Sequence, residues 1–310
     1  MPDAEVINAL TVDVEDYFQV TGFERDIPRD HWERFESRVV GNTERVLELL
    51  AECDVHATFF ILGWVAERFP ELVRAIDAAG HEAGSHSYWH RLAYRLTPDE
   101  FRADLRQSRR VLEDLLGKRV SAFRAPSFSI TLQSLWAYDI LADEGFTLDS
   151  SVFPIRHDRY GIPHAPRAPF AIETPGGTVT EFPATALRLG KLNVPVSGGG
   201  YFRFLPYEIT RQALASVNRR AGRPFVFYIH PWELDPRQPR LTTGTRLSRW
   251  RHYFNLTATY RRFACLLSEF RFGRLSDSVA HHAAGLPGGR LPMLRGPALN
   301  QRSQAIGLWK

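Results

Sequence analysis

Short apolar segments alternate with longer segments of helical periodicity along the first half of the chain. The apolar segments are rich in β-branched and aromatic residues, which predicts buried strands. Because strands and helices alternate, we expect an α/β fold with parallel strands joined by crossover helices. The predicted strands cover residues 6–14, 55–62, 82–85, 121–125 and 146–149, and the predicted helices cover residues 42–52, 65–79, 97–116 and 131–144.

Capping residues give the expected starts of two helices. Asn42 and Thr43 are the predicted N-terminal cap of the first helix. Thr97 followed by Pro98 is a strong start signal, because a hydroxyl cap and a proline at the first helical position both favour helix initiation.

The pattern changes after residue 150. Proline and glycine become frequent over residues 151–204, which we interpret as a β-rich insertion within one domain of residues 1–278. Residues 279–310 are rich in Gly, Pro and Arg and are predicted to be a C-terminal tail. Between insertion and tail the alternation resumes, with a predicted helix at 207–221, a strand at 224–230 and one long helix at 248–270.

Charge and hydropathy limit the classes of binding partner and the cellular location that we expect for the protein. The formal net charge of +4 fits an anionic polymer or a membrane surface without identifying either. No Lys/Arg run alternates with aromatic residues, so we expect no nucleic-acid partner. The acidic N-terminus contains no apolar signal-peptide core, and no apolar run approaches the roughly 20 residues of a membrane helix. We therefore expect no transmembrane segment and a cytoplasmic location.

Two histidines directly follow the predicted strand 82–85. His86 and His90 have the i, i+4 spacing that places two side chains on one face of a helical turn, where both imidazoles can reach one metal ion. Two unrelated histidines would show the same spacing. Their position at the end of a strand favours a metal site, because α/β barrels have their active sites there.

Three carboxylates, Asp13, Glu15 and Asp16, crowd the end of the first predicted strand. Residues 13 and 15 of a strand share a face, and crowded carboxylates repel each other unless a cation neutralises them. A solvated acidic loop is the alternative. The apolar run before the cluster places it at the exposed end of a buried strand, which favours a functional role.

Two further strand ends carry candidate residues. Arg124 lies at the end of the predicted strand 121–125 and could hold a catalytic carboxylate by a bidentate hydrogen bond. His230 ends the apolar strand 224–230, where a histidine facing a cleft suits proton donation near neutral pH. A His230 ring that is hydrogen-bonded within the loop is the alternative.

Taken in order, these motifs resemble those of the polysaccharide deacetylase superfamily, which includes chitooligosaccharide and peptidoglycan deacetylases. The resemblance covers roughly residues 5–235 and rests on Thr-x-Asp with further acids, Ser-His-x-x-x-His, Arg-x-Pro and a strand that ends in His. Residues 12–18, 198–203 and 230–233 resemble, more narrowly, the subgroup found in exosortase (PEP-CTERM) exopolysaccharide gene clusters.

The resemblance implies a distorted (β/α) barrel with fewer than eight repeats. It implies one divalent metal ion, usually Zn²⁺, with Co²⁺ or another divalent ion as the alternative. The implied reaction is hydrolytic removal of N-acetyl groups from an N-acetylated glycan during exopolysaccharide biosynthesis. Without an export signal, we expect this reaction at the inner face of the membrane.

The resemblance also assigns roles to residues of this chain. Asp13 corresponds to the general base, Arg124 to the group that orients it, and His230 to the general acid. His86 and His90 correspond to metal ligands. The expected substrate contacts are the N–H of Ser127 as an oxyanion donor, Asp149 near the fourth family motif, Tyr228 in place of the leucine that usually lines the acetyl pocket, and Trp232.

The third metal ligand departs from the family pattern. Many members have two adjacent aspartates, a base followed by a ligand, whereas Val14 occupies the second position here. Glu15 is the best substitute, because it shares a strand face with Asp13, and Asp16 is the alternative if the chain turns there.

Three other functions fit parts of the pattern. A metal-free allantoinase-like amidase of the same fold would not need both His86 and His90. A glycoside hydrolase needs two carboxylates across a sugar, and no second acid is as well placed as Asp13 and Glu15. A catalytically inactive carbohydrate-binding protein would not need a base, an acid and metal ligands together.

Overall fold

The computed structural model describes residues 6–294 as an α/β fold built around one mixed sheet. The strands are β1 Asn8–Val14, β2 Thr58–Ile61, β3 Glu82–Ser85, β4 Ala122–Phe123, β5 Leu148–Asp149, β6 Phe170–Thr174, β7 Gly177–Glu181, β8 Ala186–Leu189, β9 Leu192–Pro195, β10 Val226–Ile229, β11 Phe272–Gly273 and β12 Met293–Leu294. The helices are α1 Val39–Glu52, α2 Gly63–Arg68, α3 Pro70–Ala78, α4 Pro98–Leu116, α5 Ala137–Asp143, α6 Gly199–Phe204, α7 Tyr207–Ala221, α8 Arg246–Tyr253, α9 Leu256–Glu269 and α10 Leu275–Ala284.

The main sheet has the order β10-β1-β2-β3-β4-β5-β7-β6-β12, with β11 paired to β1. From β10 to β7 every neighbouring pair is parallel, and β6 pairs with β7 as an antiparallel hairpin. After β7, Thr185 Oγ1 accepts the N–H of Val226 in β10 and donates to its carbonyl. These contacts bring the two ends of the parallel row together, as in a distorted barrel with fewer than eight repeats. The predicted fold class is confirmed.

Burial explains why these segments form strands. Every residue of β1 is buried, because β2 and β10 flank it and helices cover the sheet. β2 and β10 are buried over their whole lengths as well. Parallel strands covered on both faces read as continuous apolar runs, which is the pattern that predicted them.

Two predicted helices are each divided in two. The segment 65–79 forms α2 and α3, because Pro70 excludes the helical conformation at Phe69, whose φ and ψ are −127° and 61°. The segment 248–270 forms α8 and α9, which are separated by an extended Phe254 and by Asn255 in the left-handed conformation with φ 56°. The prediction of one continuous helix was wrong in both places.

A predicted helix start is confirmed where the capping side chain belongs to the residue directly before the helix. Thr97 accepts the N–H of Glu100 in a full capping box, and α4 starts at Pro98 as predicted. The predicted cap at Asn42 and Thr43 was wrong, because both residues lie inside α1, which starts at Val39.

The second half of the chain completes the sheet. The predicted β-rich insertion contains the β6–β7 and β8–β9 hairpins and α6. The predicted tail boundary at residue 278 falls within α10, and β12 pairs with β6, so residues 279–294 belong to the fold. The rest of the predicted tail, 295–310, lies outside the described residues. Among the helices of residues 6–294, none has the length and apolar character of a membrane span.

Candidate metal and catalytic site

The candidate site lies where the parallel strands end. Asp13 belongs to β1, His86 directly follows β3, and Arg124 directly follows β4. His230 directly follows β10, which pairs with β1. Because the carboxyl ends of parallel strands meet at the same end of a barrel, residues far apart in the sequence converge there.

One carboxylate and two imidazoles form a candidate metal centre. Each of Glu15, His86 and His90 offers a ligand atom within 4.8 Å of the other two. All three side chains are buried. One carboxylate oxygen and two histidine nitrogens form a ligand set that Zn²⁺ uses in catalytic sites, where its fourth position stays open.

The protonation states of two of these groups suit cation binding. Burial lowers the pKa of His86 to about 4, so its ring is neutral near neutral pH. Nδ1 of His86 donates to the carbonyl of Arg124 at 2.8 Å, which leaves Nε2 as the free ligand atom. Burial alone would raise the pKa of Glu15, but the neighbouring His90 and His230 rings lower it to about 2.

A buried oxygen of Glu15 tests whether a cation fits. Oε2 of Glu15 lies 2.7 Å from Nε2 of His90 and has no other polar partner within residues 6–294. This buried carboxylate oxygen without a hydrogen bond faces the ligand nitrogens of two imidazole rings, which is a position that a cation can occupy. The residues present therefore fit a divalent ion.

The two histidines converge through a loop and not through the predicted helical turn. Residues 86–92 are not helical, and Ser87 and His90 adopt left-handed φ angles of 66° and 53°. The carboxylate of Asp104 on α4 holds the loop by accepting the N–H of Tyr88 at 2.6 Å. The predicted turn was wrong, yet the His86 and His90 ring centres lie 5.4 Å apart.

Asp16, the alternative ligand, has other partners. Its carboxylate accepts the backbone N–H groups of Arg38 at 2.9 Å and Val39 at 3.2 Å, and the hydroxyl of Ser37 at 2.6 Å. It therefore caps the start of α1 from a distant position in the sequence. This geometry favours Glu15 over Asp16 as the third ligand.

Arg124 orients Asp13 with a single nitrogen. Nη1 of the buried Arg124 donates to Oδ1 of Asp13 at 2.8 Å and to Oγ1 of Thr11 at 2.7 Å. Nε and Nη2 donate to the carbonyl and hydroxyl of Ser150 instead. The expected bidentate contact with the carboxylate was wrong, because Ser150 occupies the rest of the guanidinium.

His230 lies between the acidic cluster and a second ion pair. Its Nε2 is 3.8 Å from Oδ2 of Asp13 and 3.5 Å from Oε1 of Glu15. Its Nδ1 is 2.7 Å from Oε1 of Glu233, whose Oε2 accepts from Nε of Arg203 at 2.6 Å. Burial disfavours the charged ring, but the Glu15, Glu233 and Asp13 carboxylates outweigh it and raise the pKa of His230 to about 9.

Comparison with known proteins finds similarity in two parts of the chain. Residues 30–141, which contain His86, His90 and Arg124, match the family model described as polysaccharide deacetylase. This match covers about a third of the chain. Residues 150–280, which contain His230, match the model of a domain of unknown function, DUF3473.

Individual curated proteins are similar to part of the chain. A peptidoglycan-N-acetylglucosamine deacetylase of Bacillus cereus is 35% identical over 96 residues, which cover 31% of this chain and 35% of the relative. The chain thus spans about a third of the length of the curated relatives that it matches first.

Two solved structures share the whole fold. A candidate polysaccharide deacetylase from Mycobacterium smegmatis has a TM-score of 0.59 and 20% identity, with 94% of each chain covered. PuuE allantoinase has a TM-score of 0.59 and 16% identity, with 93% of each chain covered. At these identities the likeness concerns the fold alone.

A cavity of about 660 Å³ lies beside the candidate metal centre, with His230 in its wall. Ser127 and Tyr228, both predicted to contact substrate, line this cavity too. Ser127 has a left-handed φ of 53° and its hydroxyl lies 2.8 Å from that of Thr21. The Tyr228 ring packs edge-on against Phe128, with 4.9 Å between ring centres.

Trp232 lines the cavity and also contacts the candidate metal centre. Its Nε1 donates to Oε1 of Glu15 at 3.3 Å, and its ring stacks on that of His230 at 5.3 Å. On the far side it stacks on His252 at 4.2 Å. Trp232 therefore fixes Glu15 and His230 relative to each other, in addition to its predicted place at the substrate.

Asp149 does not reach the cavity. It is fully buried, accepts the hydroxyl of Ser151 at 2.6 Å, and is hydrogen-bonded to Glu181. Burial and the Asp149 carboxylate raise the pKa of Glu181 well above its ordinary value. The prediction that Asp149 binds substrate was wrong, because the pair lies inside the fold and shares a proton there.

Sequence reasoning did not identify Glu233 and Arg203 as site residues. Both are buried, and together they hold the ring of His230. Their signal in the sequence was the pair of motifs at 198–203 and 230–233, which each end in one of the two residues. Nothing in either motif alone shows that a charge in one meets a charge in the other.

Proposed function

We propose that the protein is a metal-dependent hydrolase that removes N-acetyl groups from an N-acetylated polysaccharide or oligosaccharide. The observation that carries this proposal is the convergence of Glu15, His86 and His90 with Asp13 and His230 at one end of the barrel. A ligand set, a candidate base and a candidate acid within one cluster are what amide hydrolysis requires.

The metal-ligand cluster supports a metal-dependent reaction over a metal-free amidase. We propose Zn²⁺ as the ion that Glu15, His86 and His90 would hold, with Co²⁺ or another divalent ion as the alternative. Such an ion supplies Lewis acidity, which polarises an acetyl carbonyl and lowers the pKa of water.

Asp13 is the proposed general base. Its Oδ2 faces the space next to His230 Nε2, while Oδ1 is held by Arg124. This arrangement leaves one oxygen of Asp13 to take a proton from the attacking water. Arg124 is buried and fixed by Ser150, so it keeps the carboxylate in one orientation.

His230 is the proposed general acid. Its protonated ring would deliver a proton from Nε2 to the departing sugar amine, which is a poor leaving group without one. Glu233 holds Nδ1 on the opposite side of the ring, so Nε2 points to the acidic cluster. We propose that the backbone N–H of Ser127, at the cavity wall, stabilises the oxyanion.

We further propose a role in exopolysaccharide biosynthesis at the inner face of the membrane. The sequence motifs at 198–203 and 230–233 support this role, and both lie in the part of the chain that matches DUF3473.

Mass spectrometry of acetylated oligosaccharides after incubation with metal-loaded protein tests the proposed activity. We expect products that have lost whole acetyl groups, together with an equal amount of acetate. Asp13→Asn is the matched control, because the amide keeps the shape of the side chain but cannot act as a base. Unchanged oligosaccharides with every N-acetylated substrate tried, or equal release by Asp13→Asn, would contradict the proposal.

A further inference from the structure

The wall of the cavity beside His230 has an excess of positive charge. Arg159, Arg203 and Arg251 line it, whereas Glu233 is the only carboxylate among the described lining residues. Glu233 is already neutralised by Arg203 at 2.6 Å. Two cations therefore face the cavity without a compensating acid in its wall.

These two arginines are available to a ligand. Arg159 and Arg251 are both exposed, and within residues 6–294 neither guanidinium has a hydrogen-bond or ion-pair partner. Both lie close enough to His157 to lower the pKa of that ring, after burial, which is the larger cause. Asp158 contacts His157 at 2.9 Å, but it does not line the cavity.

Arg203 fixes the segment that carries Arg251. Its Nη1 donates to the backbone carbonyls of Arg251, His252 and Phe254, while its Nε holds Glu233. The same buried guanidinium thus positions one cavity cation and, through Glu233, the ring of His230. A ligand bound by Arg251 would therefore be held at a defined position relative to His230, the proposed acid.

Aromatic rings complete the wall. Tyr160 and Tyr201 share a hydroxyl hydrogen bond of 2.9 Å, and Trp250 is 54% exposed. All three line the cavity together with the arginines. Aromatic faces pack against the apolar faces of sugar rings, and guanidinium groups pair with carboxylates and phosphates.

We infer that the N-acetylated glycan recognised by this cavity is anionic, with a carboxylate or phosphate near the reacting acetamido sugar that Arg159 and Arg251 bind. This inference rests on the proposed deacetylase function and specifies its substrate class. A cleft lined by one sign of charge also attracts a substrate of the opposite sign before it binds.

Matched pairs of substrates test the inference. One pair is an oligosaccharide that alternates N-acetylglucosamine with glucuronic acid, and the same oligosaccharide with its carboxyl groups reduced. The second pair is a chitooligosaccharide with and without a 6-phosphate. We expect kcat/KM to be about tenfold higher for the charged member of at least one pair, the size expected for two exposed ion pairs, and to fall with added salt. A preference within the first pair identifies a carboxylate as the recognised group, and a preference within the second pair identifies a phosphate.

Two double variants distinguish an effect of the cavity arginines from an effect of the net charge of the protein. Arg159→Gln with Arg251→Gln should bring the ratio of kcat/KM between the charged and the neutral substrate close to one. Arg219→Gln with Arg220→Gln removes the same charge outside the cavity wall and should keep the preference. Equal rates on charged and neutral substrates would overturn the inference and leave the deacetylase proposal intact. Release from none of the four substrates would count against both.

Discussion

Oε1 of Glu233 lies 2.7 Å from Nδ1 of His230 and also accepts the backbone N–H of the same residue. This double contact fixes both the ring and the main chain of the proposed acid. Arg203 holds the other oxygen of Glu233, and the pKa of Glu233 stays low because this charge outweighs the effect of burial. The acid is thus positioned by its own turn, with Arg203 on α6 as the anchor.

Removing Glu233 should impair turnover without loss of metal. We expect Glu233→Ala to reduce kcat by about 10²-fold, within the range that general acid catalysis supplies, with KM nearly unchanged. Glu233→Gln should recover part of the loss, because its amide oxygen can still accept from Nδ1. Steady-state kinetics with metal analysis on the same samples is the measurement.

The losses of the Glu233 variants are compared with the loss of His230→Ala, which removes the proposed acid itself. It should lower kcat by about 10²–10⁴-fold and retain the metal. Both variants should be less impaired on an acetyl ester, since an alcohol leaves more easily than an amine. Equal losses on ester and amide, or loss of the metal, would identify the pair as structural.

Glu15 and Asp13, the two carboxylates at the end of β1, should have different functions that substitution can distinguish. Glu15→Ala should weaken binding of the divalent ion, because it removes one of three ligands. Asp13→Asn should bind the ion normally and lose activity, because only the proton acceptor is gone. Titration of the apo-protein with Zn²⁺ compares the two directly. If Asp13→Asn loses the metal and Glu15→Ala keeps it, the roles are reversed.

Asp16 should matter for stability. Because its carboxylate caps α1, Asp16→Ala should lower the free energy of unfolding by about 0.5–2 kcal/mol. The variant should still bind one divalent ion. Urea unfolding and metal analysis measure the two properties. A variant of unchanged stability that no longer binds metal would show that Asp16 is a ligand.

The buried Asp149–Glu181 pair predicts a pH dependence of stability. Because the folded-state pKa of Glu181 is raised, the folded state keeps a proton that the unfolded chain releases. This contribution is fully present below the ordinary pKa of 4.5 and is lost as pH rises through the folded-state value. Glu181→Gln mimics the protonated acid and removes the dependence.

Urea unfolding at several pH values checks this prediction. The free energy of unfolding of Glu181→Gln should decrease less than that of the unmodified protein as the pH rises from about 5 to about 8. Glu44→Gln, at an exposed position on α1, is the control and should follow the unmodified protein. Identical pH profiles for all three proteins would show that the pair does not retain a proton.

The sequence predicted those features that depend on local signals. Thr97 and Pro98 located the start of α4, and the apolar runs located β1, β2 and β10. The spacing of His86 and His90 predicted that the two rings lie close together, which they do, but a loop with left-handed residues and not a helical turn brings them together.

Features that depend on distant partners could not be predicted in the same way. Asp16 looked like a ligand until the start of α1 was placed beside it. Asp149 looked like a site residue because its partner Glu181 lies on another strand. Glu233 and Arg203 are separated by 30 residues, and their ion pair forms only when α6 packs beside the turn after β10.

Acetate release measured alongside metal content tests the central claim, metal-dependent deacetylation by the Glu15, His86 and His90 cluster. The unmodified protein should contain about one divalent ion per chain and release acetate from an N-acetylated oligosaccharide. Activity should disappear on chelation and return with Zn²⁺ or Co²⁺. The His86→Ala, His90→Ala double variant should contain no ion and stay inactive when metal is added. Undiminished acetate release by the chelated protein, or a full complement of metal in the double variant, would contradict the claim.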